Sequence, residues 1–205
     1  FVPIFLYKSG VSLQEIYLFY LLFFIFRLPA AYFSAHVIGR IGPKHSIAVS
    51  TVLIIAFMLM LLSFNTVVWP LYQLSFCFSI ANTLFFLAYH TDFSKIKDEK
   101  NGGKELGWLN IFERAGSAVG PVVGGLMATL ISPAFTLFFE ILVLLGSLIP
   151  LFLTNEPVKV HQNIHFRGFN WRRHKRDFLS LSSHNLENVA SQVMWPLYIA
   201  IVIFS

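Results

Sequence analysis

Apolar residues along this chain come in long runs, with no strict alternation and no narrow stripe. Residues 16–38, 47–64, 67–89, 106–131 and 134–153 are each dominated by Leu, Ile, Val, Phe and Ala. A helix needs about 20 such residues to cross the hydrocarbon core of a bilayer. The pattern therefore predicts five complete membrane helices. Residues 1–7 read as the tail of a further span, and the run over 189–205 reads as the start of another. Strand ladders are not expected, because open sheet edges cannot face lipid. The predicted fold is an all-α polytopic membrane helix bundle.

The polar linkers between these runs alternate in charge. Twelve of the 15 Lys and Arg residues lie in three linkers: Arg40 and Lys44; Lys95, Lys97, Lys100 and Lys104; and Lys159, Arg167, Arg172, Arg173, Lys175 and Arg176. The opposite linkers carry only Lys8, while Arg27 and Arg114 lie within apolar runs. By the positive-inside rule the three basic linkers are cytoplasmic. The expected organisation is a helix bundle over residues 1–154, a basic cytoplasmic loop over 155–186, and the start of a seventh span over 187–205. The basic stretch Trp171-Arg172-Arg173-His174-Lys175-Arg176 is read as topology and contact with anionic head groups, so no nucleic-acid partner is expected.

Composition agrees with lipid as the solvent. Of 205 residues, 56% are hydrophobic and 12% charged, with 23 Phe, against about 25% charged in a soluble domain. Cys77 stands alone, which excludes an intrachain disulfide and a CxxC site. His161 and His165 have an i, i+4 spacing without a third ligand nearby, so no metal and no cofactor is expected. No Ser/His/Asp or Cys/His set, phosphate-binding glycine loop or HExxH motif stands out.

Two motifs narrow the class. The fifth run reads Gly107, eight residues, Gly116, three residues, Gly120-Pro121, two residues, Gly124-Gly125. Gly116, Gly120, Gly124 and Ala128 recur every four residues, so they share one helix face where another backbone can approach. Pro121 cannot bond the Ser117 carbonyl, so a bend is expected there. The row resembles the glycine–proline motif in the fifth helix of major facilitator transporters, best known from drug–proton antiporters. At the inner end of the second run, Arg40, Gly42 and Lys44 match that family's loop motif, while Ala35, Gly39 and Pro43 depart from it. Gly39 stands where the family carries an acid that helps latch its two halves. The fourth run lacks the family's intramembrane Arg and carries only Gln73 and Asn82 as polar candidates.

The resemblance implies the N-terminal six-helix half of a twelve-span transporter, with a central cavity that opens alternately to each side. Val2-Pro3-Ile4-Phe5-Leu6 resembles Trp195-Pro196-Leu197-Tyr198-Ile199, as repeated halves would require, and Trp69-Pro70-Leu71-Tyr72 shares the Trp-Pro stretch. The expected partners are the bilayer and a small-molecule substrate, with a coupling proton or ion left open. The expected location is the plasma membrane, and efflux is the direction the resemblance allows. Charges within runs are the substrate or coupling candidates: Arg27, Glu113, Arg114 and Glu140, each to be weighed against a structural ion pair. His90 joins them as a group that titrates near neutrality. A scaffold or receptor of the same fold, an intramembrane enzyme with its catalytic set elsewhere, and a channel are the competing classes.

Overall fold

The computed structural model describes residues 2–64, 66–96, 100–153, 172–176, 179–180, 183 and 189–202. Residues 154–171, with His161 and His165, and Lys97 lie outside the described residues. Among the described residues every regular element is a helix: α1 (Val2–Lys8), α2 (Leu13–Ile41), α3 (Pro43–Leu62), α4 (Leu71–Ile96), α5 (Gly102–Leu130), α6 (Pro133–Phe152) and α7 (Trp195–Val202), the last entered through a π-helical turn at Ala190–Met194. The chain forms two compact groups. One comprises Phe1–Leu18 with His165–Ser205, the other Phe19–Ile164.

In the first group, α1 packs against α7. Val2, Pro3 and Leu6 are buried on α1, and Leu197 on α7. The two segments that resemble each other in sequence are thus both helical and adjacent. The turn after α1 follows from local chemistry. The Val11 N–H reaches the Leu6 carbonyl at 3.1 Å and the Gly10 N–H the Tyr7 carbonyl at 3.1 Å. With Gly10 at φ 85°, this is the Schellman close of a helix, which requires a left-handed residue and favours glycine. Ser12 then caps α2. Its Oγ accepts from the Glu15 N–H at 3.3 Å, and the Glu15 carboxylate accepts from the Ser12 N–H at 3.0 Å. This reciprocal box satisfies two helix-end donors at once.

In the second group, α3 and α4 form the most extensive pair, α6 packs on α3, and α5 packs on α6. Helix α2 joins α4 through side chains. Ser75 Oγ lies 3.0 Å from the Phe19 carbonyl oxygen, and Phe26 meets Phe76 edge-on at 5.4 Å. At the far end of these helices Ile38, Leu84 and Ala88 form a buried cluster, with Ile47 packed on it. That cluster brings the end of α2, the start of α3 and the end of α4 together, and with them Arg40, Lys44 and Lys95.

Several expected boundaries move. The linker read at residues 40–45 shrinks to Gly42, because α2 runs on to Ile41 and α3 starts at Pro43. Gly42 has φ 85° and ψ 161°, a region essentially confined to glycine, and Pro43 is preset for the first helical position. Helix α4 begins at Leu71 rather than at residue 67. Trp69 precedes Pro70, whose ring disfavours a helical residue before it, and the Trp69 indole N–H instead donates to Ser63 Oγ at 2.9 Å. The same helix runs past the apolar limit at Tyr89 to Ile96. A helix satisfies its own backbone, so it continues into water where an apolar run stops.

Four helices are both long and apolar enough to cross a membrane: Leu13–Ile41, Pro43–Leu62, Leu71–Ile96 and Ala134–Phe152. The fifth expected span, α5, is 29 residues long, about 43 Å at 1.5 Å per residue. Its hydropathy is diluted by Asn110, Glu113, Arg114 and the glycine row, and it is not among the four. None of its residues is buried.

Candidate functional site

The centre of α2 carries the most informative side chain. Arg27 is the midpoint of Leu13–Ile41, about 21 Å of helix from either end. It falls within the row Phe19, Phe23, Arg27, Ala30, Ser34 and Ile38, spaced by four, four, three, four and four residues, which is one face of a helix. The other five members are buried. Arg27 is half-buried, the single charge on the packed face of α2.

What holds this charge is aromatic. The guanidinium carbon lies 5.5 Å from the centre of the Phe23 ring. Phe23 stacks on Phe78 of α4 at 4.8 Å and 28°, and Phe78 stacks on Phe57 of α3 at 4.6 Å and 20°. A column of rings thus links α2 through α4 to α3, with Arg27 at one end. Among the described residues Arg27 forms no ion pair. A central Arg costs about 2.5–3.5 kcal/mol on insertion scales, and a cation–π contact returns about 0.5–2 kcal/mol. The ring alone offsets only part of the charge.

Helix α4 runs parallel to α2, and its register is set by Ser75 against Phe19 and Phe78 against Phe23. One turn beyond Phe23 is Arg27, and one turn beyond Phe78 is Asn82, half-buried. On either side of Asn82, Ser79 and Thr83 are buried. Among the described residues their hydroxyls have no hydrogen-bond partner. Other hydroxyls on α3 and α4 bond to their own helix, as Thr51 Oγ1 does to the Ile47 carbonyl at 2.9 Å and Thr91 Oγ1 to the Leu87 carbonyl at 2.7 Å.

The remaining candidates are spread out. Gln73 is exposed in the first turn of α4. Glu113 and Arg114 are exposed on α5, and Glu140 is half-buried on α6. No ion pair joins Arg27, Glu113, Arg114 or Glu140 among the described residues, so the structural pairing weighed for these charges is not seen there. Tyr89 meets the ring of His90 at 5.5 Å, and His90 is itself exposed and stacked on Phe86 at 6.3 Å. Among the described residues no three of His, Cys, Asp and Glu gather as metal ligands would.

The loop-motif residues differ in setting. Arg40 is exposed, Gly42 forms the turn, and Lys44 is buried at 5% exposure in the first turn of α3. Lys44 is therefore a packed residue with interactions of its own, not a freely solvated positive charge.

The glycine row is open over most of its length among the described residues. Gly116, Gly120, Gly124 and Ala128 were expected to form a seam against another helix. A Cβ placed on Gly107, Gly116, Gly120 or Gly125 meets nothing within 4 Å, and only Gly124 has a neighbour, the Thr136 Cγ2 of α6 at 3.7 Å. Helix α5 touches α6 along one edge, and the rest of its face carries no partner among the described residues. The helix is continuous through Pro121.

Sequence reasoning missed Phe23, Phe78 and Phe57. A usable signal existed for the first, since Phe23 and Arg27 are four residues apart and so share a helix face. Phe78 and Phe57 lie on other helices, and among 23 Phe residues nothing in the sequence singles them out.

The family model described as Major Facilitator Superfamily matches residues 1–205. No curated protein and no solved structure matches the chain.

Proposed function

The chain belongs to the major facilitator superfamily, whose members are transporters rather than enzymes; it is an integral, multi-pass membrane protein, and from that premise we propose that it is a secondary active carrier working by alternating access. The observation that carries this reading is the bare face of α5. On the face of Gly116, Gly120, Gly124 and Ala128, Gly116 and Gly120 leave room for a Cβ, on a helix with no buried residue. A helix face without side chains can rest against a neighbour in more than one packed arrangement, and switching between discrete packings is what alternating access requires. Efflux of a small solute across the plasma membrane is the direction supported by the likeness of this row to that of drug–proton antiporters.

The test is transport by full-length protein in proteoliposomes. Gly120→Leu is expected to insert normally and to lose transport, while Gly103→Ala, outside the row and also open, transports at the normal rate. A Gly120→Leu protein with unchanged transport would remove the mechanistic role assigned to α5.

A further inference from the structure

We infer that Arg27 is an anion-binding residue of the solute path, so that the transported substrate bears a carboxylate, phosphate or related oxyanion. This rests on the carrier reading above. Three observations converge on it. Arg27 occupies the centre of the packed row of α2, between buried Phe23 and Ala30, so it is not a lipid-facing passenger. Its depth, midway along Leu13–Ile41, removes it from lipid head groups at either surface and leaves a solute as the source of the anion. Its guanidinium is seated on Phe23, which the stack through Phe78 to Phe57 fixes in place. A cation–π contact with Phe23 uses none of the guanidinium's five N–H donors as hydrogen bonds, so all five remain for a ligand.

The surroundings match this assignment. Among the described residues no carboxylate neutralises Arg27. Within about a turn and a half of Phe78, the α4 ring stacked on Phe23, α4 carries Asn82 and the buried hydroxyls of Ser79 and Thr83. These are uncharged hydrogen-bonding groups, which complete an oxyanion site without competing for the cation. Guanidinium binds carboxylate and phosphate through two parallel N–H···O bonds, and the low dielectric at this depth strengthens the attraction. A cationic substrate meets repulsion at the same place.

The proposal is tested on full-length protein in detergent micelles, by heat denaturation at constant ionic strength. The probes are phenyl phosphate and benzoate, compared with uncharged benzyl alcohol and with tetraphenylphosphonium. At least one of the two anions is expected to raise the melting temperature saturably, with no such rise from benzyl alcohol. Arg27→Gln should weaken that apparent affinity tenfold or more, Arg27→Lys should restore part of it, and Lys8→Gln in the outer turn should leave it unchanged. No saturable rise with either anion in the unmutated protein overturns the proposal, as does an Arg27→Gln protein that binds them normally. Because the unmutated protein decides the first outcome, a variant that fails to fold does not protect the idea. Saturable uptake of tetraphenylphosphonium into proteoliposomes, with neither anion bound, would sink the anion assignment and leave the carrier reading intact.

Discussion

Gly42 shows how much one residue carries. Its φ of 85° and ψ of 161° place it where a Cβ collides with its own backbone, and it is the whole connection between α2 and α3. Gly42→Ala is expected to cost about 1–3 kcal/mol and to lower the denaturation temperature in micelles. Gly103→Ala, within helix α5 and with open space around it, should be neutral or stabilising by up to about 1 kcal/mol. Equal melting temperatures for the two variants would contradict the strained turn. The sequence marked Gly42 as one position of a motif, but a motif does not state a backbone angle. Arg27 was legible for a plain reason, since a charge inside an apolar run is costly and conspicuous. Its seat on Phe23 and the rings behind it were not, because stacking across α2, α4 and α3 depends on helix register that no single segment encodes.

Whole helices were the most legible level. Apolar runs of sufficient length located α2, α3, α4 and α6, and the breakers Gly10, Gly42 and Pro70 explain where the elements stop and start. What the runs could not give is the polar end of each helix. Ser12 and Glu15 extend α2 outward by capping, and α4 continues seven residues beyond Tyr89 to Ile96. On helix α5 a periodic glycine row identifies a face but not what lies against it. The open space around Gly120 makes a divided prediction. Gly120→Ala should leave thermal stability unchanged or slightly raised, because the added Cβ meets nothing and alanine favours the helix. Gly120→Leu should insert and keep that stability, yet lose transport, because the bulk acts where the carrier changes packing. Parallel loss of stability and transport in both variants would show a face already tightly packed.

For the molecule as a whole, charge and topology should agree. The end of α2, the start of α3 and the end of α4 meet at one buried cluster, so Arg40, Lys44 and Lys95 share an end, and the short connection from Ile96 to Gly102 starts α5 there too. The positive-inside rule makes that end cytoplasmic. With Cys77 replaced by Ser, a cysteine at Lys100 should react with a membrane-impermeant maleimide only from the inside, and one at Lys8 only from the outside. Reaction of both from the same side would break the topology.

A carrier is separated from a channel or a scaffold by how solute already across the membrane affects entry. Full-length protein in proteoliposomes should take up labelled benzoate or phenyl phosphate with a rate that saturates, and that rate should rise when the vesicles are preloaded with the same unlabelled solute, because a loaded site returns faster than an empty one. Uptake that stays linear with concentration and ignores the internal solute would mean a pore, and no protein-dependent uptake of these anions or of tetraphenylphosphonium would leave α5 and Arg27 as parts of a fold that moves nothing.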